Sequence, residues 1–145
     1  MQAYICSDCP RRCAAPRGDE GSGFCGMGAD AVVARAAPHY DEEPVISGTR
    51  GSGAVFFSGC ALRCRFCQNF GISHRSYGKT LSPSDLRRLY YELIDQGVHN
   101  INLVNPTHFS RAIYASLEGG LPVPVVWKPK TFRLSHRLYF PCVQG

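Results

Sequence analysis

Apolar and polar positions change rhythm along this chain, and the changes divide it into three. Residues 1–30 show neither helical nor strand periodicity. They hold Pro10, Pro16 and five glycines, at 18, 21, 23, 26 and 28, a composition that favours turns over packed elements. Residues 31–52 are mixed, with Pro38, Pro44 and Gly51, and read as a connecting segment with at most short strands. From Gly53 the pattern sharpens. "AVFF" at 54–57 is a short apolar run ended by Ser58-Gly59, which predicts a buried strand running into a loop. "LSPSDLRRLYYELIDQG" at 81–97 predicts a helix. Ser82 can cap it, Pro83 takes its first position and Asp85 favours the positive end of its dipole. Leu86, Leu89, Tyr90 and Leu93 recur at helical spacing on one face, and Gly97 ends the run. "VHNINLVN" at 98–105 predicts a second strand, residues 107–120 a second helix, and "VPVVW" at 123–127 a third strand.

Strand, helix, strand, helix, strand with short connections is a parallel α/β pattern. It divides the chain into a cysteine-rich N-terminal segment and connector (1–52), an α/β core (53–127) and a basic tail (128–145). After Trp127 the pattern lapses, and Lys128, Lys130, Arg133 and Arg137 come without a single acid. The tail is expected to be poorly ordered and to contribute no site residue, and the third strand to be left with an open edge.

Charge changes this picture little. Of the 145 residues 44% are hydrophobic, and the net charge is +5. Up to Glu118 cations and acids nearly balance, so the excess belongs to the tail. A nucleic-acid surface needs cations spread over a folded face, so none is expected. No run of about 18 apolar residues predicts a membrane span. "MQAYICSDCPRRC" lacks the apolar core of a secretory leader. A cytoplasmic setting is the expectation.

Eight cysteines in such a setting read as metal ligands rather than as a disulfide framework. "SGCALRCRFCQNFG", 58–71, holds Cys60, Cys64 and Cys67 in the spacing C-x3-C-x2-C, directly after the first predicted strand. In parallel α/β proteins that edge is where chemistry sits. Three thiolates can hold three irons of a 4Fe–4S cluster and leave the fourth iron open to a small molecule. A structural zinc loop or three buried free thiols is the alternative. Cys6, Cys9, Cys13 and Cys25 form a second set, numerous enough to close a tetrahedral site. A segment so small and glycine-rich would draw folding energy from a metal. Exposed thiols on a flexible arm are the alternative.

The cysteine loop, Phe66 before its last cysteine, and the α/β pattern behind it resemble the radical S-adenosylmethionine superfamily. The likeness is greatest to the group related to pyruvate formate-lyase activating enzyme, and it covers residues 1–127. The resemblance implies a partial (βα) barrel, of which this chain would supply about three units. It implies a 4Fe–4S cluster on Cys60, Cys64 and Cys67, with S-adenosylmethionine on the unique iron, and a 5′-deoxyadenosyl radical as the working oxidant. Phe66 and Asn69 beside the cluster, with Gln68, are candidate cofactor contacts. The family usually carries Gly-Gly-Glu after the second strand. Here Asn105, Pro106, Thr107 and His108 stand in its place, and Asn105, Thr107 and His108 are the candidate contacts. Against that, Thr107 could be a helix cap and His108 a surface residue.

The prefix "C-x2-C-P-x2-C … G-x-C-G" looks like one in a subgroup of activating-enzyme homologues, where zinc or an auxiliary iron–sulfur cluster would be its metal. The resemblance also implies an electron donor such as flavodoxin or ferredoxin, and a protein substrate. A six-unit barrel needs on the order of 190 residues, about twice the length of chain from Gly53 onward, so a C-terminally truncated, inactive product is an expectation too. The other readings are a non-catalytic cysteine-rich metal-binding module and an interaction fragment.

Overall fold

The computed structural model describes residues 2–129 and the backbone of residues 139–140. Two short strands, β1 (Tyr4–Ile5) and β2 (Pro16–Arg17), pair antiparallel in the N-terminal segment. The main sheet has six strands: β3 (Ala31–His39), β4 (Ser52–Phe57), β5 (Lys79–Leu81), β6 (Ile101–Val104), β7 (Val125–Lys128) and β8 (Tyr139–Phe140). They lie in the order β5-β3-β4-β6-β7-β8. The centre, β4-β6-β7, is parallel. β3 runs antiparallel to both β4 and β5, and β8 antiparallel to β7. The helices are α1 (Pro44–Ser47), α2 (Phe70–His74), α3 (Pro83–Asp95) and α4 (Ser110–Ser116).

The parallel centre and α3 agree with the sequence pattern. Ser82 caps α3 by accepting from the Asp85 amide, with Pro83 in its first turn. Leu86, Tyr90 and Leu93 are buried against Val55, Phe57, Ile101 and Leu103 of the sheet, and Ala112 and Ile113 of α4 join the same core. Each large side chain in it contributes about 1.5–3 kcal/mol through burial. By the two-residue period of strands, Phe56, Asn102, Val104, Val126 and Lys128 point to the opposite face.

Three expectations need correction. Residues 31–52 are not merely a connector, because β3 spans nine residues and pairs along β4. Its small Ala side chains and Pro38 hide the alternation, and the register shifts between Val33 and Arg35. β7 does not end the sheet, because β8 adds to it. Lys128 is not part of an unstructured tail. It closes β7 and forms an ion pair with Glu42, which also accepts from Asn102 Nδ2 at 3.2 Å. The expectations for residues 130–138 and 141–145, and for Cys142, lie outside the described residues. No helix among the described residues is long and apolar enough to cross a membrane.

Candidate metal centre at the cysteine loop

The loop after β4 is fastened from three sides. Ser58 donates its amide to Val32 O at 2.9 Å, and Gly59 donates to Ile72 O at 3.0 Å. Asn105, at the end of β6, donates from Nδ2 to Gly59 O at 2.7 Å. His108, in the single 3-10 turn Thr107–Phe109, donates from Nε2 to Ser58 O at 2.7 Å. Arg11 of the N-terminal segment reaches Ala61 O at 2.8 Å. Gly59 is required where it stands. Its φ is +74°, and a Cβ there would lie 2.6 Å from Met27 Cγ and 2.9 Å from Cys25 O.

The three cysteines line one cavity of about 290 Å³, together with Phe56, Phe66, Asn69, Val104 and Asn105. Cys60 is buried, Cys67 half-buried and Cys64 exposed. The Leu62 amide donates to Cys60 Sγ at 3.3 Å. Amides at Cys67 and Phe70 donate to Cys64 O and Cys67 O, so the loop winds through successive tight turns. Among the described residues, no charged side chain lines the cavity. Thiolates there would face amides, the Ser73 hydroxyl and apolar groups, so their charge would be neutralised by a bound metal and not by a neighbouring cation of the lining. That chemistry fits an iron–sulfur cluster. Among the described residues, no three His, Cys, Asp or Glu side chains stand close enough together to hold a metal ion. The cysteines thus share a wall without having closed on a centre.

The candidate cofactor contacts divide. Phe66 (93% exposed), Asn69 and Asn105 line the cavity, as does Gln68. Thr107 and His108 do not line it. Thr107 makes no capping bond. His108 is no surface residue: it is 1% exposed, its Nε2 holds the start of the cysteine loop, and its Nδ1 is buried without a partner among the described residues. Burial first, with Arg17 nearby, lowers its pKa to about 4, against the opposing pull of the Ser58 carbonyl. A larger cavity of about 630 Å³ lies away from the cysteines, lined by Glu43, His99, Asn100, Trp127 and Lys128. Its lining takes in His99, Asn100 and Pro124, which lead into β6 and β7, and also Trp127, Lys128 and Pro129 at the far end of β7.

In the N-terminal segment, Cys6 and Cys25 are buried, Cys9 is half-buried and Cys13 exposed. Cys25 and Met27 belong to the main core, so this segment packs on the α/β unit rather than trailing from it. Burial raises the Cys25 thiol pKa, Arg17 lowers it, and Cys6 and Cys9 raise it further. Backbone amides at Phe24 and Ala15 lower that of Cys13. Arg17 itself is not marked by the sequence. A cation among glycines and prolines carries no pattern that shows it to be buried.

No family model matches the chain. An uncharacterized protein of Methanocaldococcus jannaschii is 29% identical over 137 residues, an alignment that takes in 88% of this chain and 39% of that protein. The chain thus spans about two fifths of the length of the curated relative it matches. No solved structure matches it.

Proposed function

We propose that this chain belongs to a radical S-adenosylmethionine protein of the glycyl-radical-activase type, and carries the cluster-binding part of its partial barrel. Cys60, Cys64 and Cys67 would hold three irons of a 4Fe–4S cluster, and S-adenosylmethionine would fill the open position. When bound, this pair supplies reductive cleavage of the sulfonium C–S bond to a 5′-deoxyadenosyl radical that takes a hydrogen atom from substrate. The chain's own residues hold and shield. Phe56 and Val104 give the cavity a dry floor, Asn105 fixes the loop entry through Gly59, and Asn69 and Gln68 offer amides to a polar cofactor. Phe66 stands exposed at the rim, where a bound molecule would cover it. Cys6, Cys9, Cys13 and Cys25 would take a second metal, zinc or an auxiliary cluster. An electron donor such as flavodoxin or ferredoxin and a protein substrate complete the reading.

One observation carries it: three thiols line a cavity at the carboxyl edge of parallel strands β4 and β6, with no charged side chain of the described residues in its wall. The test is anaerobic reconstitution with iron and sulfide. The expected result is an oxygen-labile cluster, a paramagnetic signal on reduction that shifts with S-adenosylmethionine, and loss of that S-adenosylmethionine-responsive signal in Cys60→Ala, Cys64→Ala and Cys67→Ala, whatever metal the N-terminal cysteines hold. A loop that takes up zinc alone, or a triple variant that keeps the signal, would instead leave a metal-binding module without catalysis.

A further inference from the structure

The cysteine loop has two sides. Leu62, Cys64 and Phe66 line the cavity, while Arg63 and Arg65 between them do not. The outer side is basic. Residues 58–78 hold Arg63, Arg65 and Arg75 and no acid, and residues 9–16 hold Arg11 and Arg12 and no acid. The two segments meet, because Arg11 Nε donates to Ala61 O at 2.8 Å. The Phe24 ring gathers a cation from each: Arg11 Cζ lies 3.5 Å from its centroid and Arg63 Cζ 5.6 Å. Each gains from the ring, but two guanidinium groups drawn to one ring repel each other. Arg63 adopts φ +49°, a left-handed conformation unusual for its type, and its Nε is buried without a partner among the described residues. No carboxylate among the described residues pairs with Arg63, Arg65 or Arg75. Asp8, the acid nearest the Arg11–Arg12 pair in sequence, is already engaged. Its side chain is 4% exposed, lies 3.3 Å from Arg111 and accepts from the Tyr4 hydroxyl at 2.5 Å. Cations gathered in this way around an exposed ring complement an anionic surface.

We propose that the outer side of the cysteine loop, Arg63 and Arg65 with Arg11 and Phe24 beside them, is the docking surface for an acidic protein, the electron donor of the function proposed above. The donor's role rests on that reading, whereas the charge complementarity stands without it. In the step itself one electron leaves a low-potential flavin or iron–sulfur group of the donor and enters the centre at the loop, and no bond is made or broken. Such a donor needs only to come close to the loop. A substrate must bring its reacting atom into the cavity, on the other side. The loop therefore assigns the two partners to opposite sides and leaves the cavity open to a small molecule while the donor is docked. Phe24, 37% exposed, gives this surface an aromatic centre with arginines around it, the residue types enriched where proteins meet. Attraction of this kind acts on the rate of encounter and weakens as salt rises.

The experiment uses the full chain and, as probe, an acidic flavodoxin. Association is followed by stopped-flow fluorescence at low and at moderate salt, with a single-stranded oligonucleotide of matched charge as the competing probe. The flavodoxin should bind the parent chain, faster at low salt. The double variant Arg63→Glu, Arg65→Glu should slow association about 10-fold or more, and Arg88→Glu, on α3, should leave it unchanged. No binding to the parent, or equal rates in the parent and the double variant, overturns the docking surface. An oligonucleotide that binds more tightly than flavodoxin through the same arginines overturns the protein partner. If the double variant fails to fold, Arg65→Glu alone decides, since Arg65 is exposed. A second arm uses the chain reconstituted with iron and sulfide. Reduction by reduced flavodoxin should slow in the double variant, while reduction by dithionite, which needs no docking, should keep the parent's rate. Equal slowing with both reductants overturns the donor role. A chain that takes up no cluster overturns that role together with the function proposed above, and the binding arm still decides whether the loop docks an acidic protein.

Discussion

The side-chain amide of Asn105 donates to the carbonyl oxygen of Gly59 at 2.7 Å, joining the carboxyl ends of β6 and β4 across 46 residues of sequence. Asn105 makes this bond from φ +60°, a left-handed conformation that Asn tolerates and most residues do not. Two penalties therefore await Asn105→Ala: a buried carbonyl left unpaired and a strained backbone. The expected loss is about 1–3 kcal/mol, read by urea unfolding with an unchanged slope. Asn105→Gly relieves the backbone without restoring the bond and should fall between the two. If Gly and Ala cost the same, backbone strain plays no part.

Gly59→Ala tests the packing of the N-terminal segment on the cysteine loop. The added methyl meets Met27 Cγ and Cys25 O at impossible distances, and the positive φ adds strain of about 1–3 kcal/mol. Backbone on one side cannot yield, so the segment should lift from the loop. Limited proteolysis within residues 18–28 should become faster. An unchanged cleavage rate would show that this contact does not hold the segment down.

Much of the core was legible because its signals are local. Ser82, Pro83 and Asp85 mark one end of α3 in sequence, and the Leu86, Tyr90 and Leu93 spacing fixes its buried face. The cysteine loop was legible for the same reason, with three candidate ligands within eight residues close to a strand end. β3 escaped because its partners are distant, and Ala and Pro at 36–38 blur an alternation that only pairing with β4 makes meaningful. His108 and Arg17 escaped for a deeper reason. Each is a polar side chain whose burial depends on a contact some 50 or more residues away, with Ser58 and His108 respectively, and no periodicity reports such a contact.

Lys128 and Glu42 join β7 to the segment after β3, with side chains 32% and 15% exposed. Lys128→Met should leave Glu42 with Asn102 as its remaining hydrogen-bond donor among the described residues, at a cost of about 1–3 kcal/mol, between the values for exposed and buried pairs. A double-mutant cycle with Glu42→Gln measures the coupling. A coupling energy near zero would mean that the pair contributes nothing to joining these elements.

His108 should make the fold sensitive to mild acid. Its Nε2 carries the proton donated to Ser58 O, so acid must protonate Nδ1, a buried atom with no partner among the described residues and with the Arg17 cation nearby. The folded state holds the pKa at about 4, below the ordinary value of about 6.5. A depressed histidine favours folding while neutral, so its contribution is complete above pH 6.5. It falls as pH drops toward 4 and is exhausted below that, a total of about 3 kcal/mol. His108→Gln keeps a donor and removes the titration. The stability difference between the native and variant chains, measured by urea unfolding from pH 7.5 to 4, should move in the variant's favour by about that amount as pH falls. A difference that stays constant across this range would show that His108 protonates as freely in the folded chain as in the unfolded one.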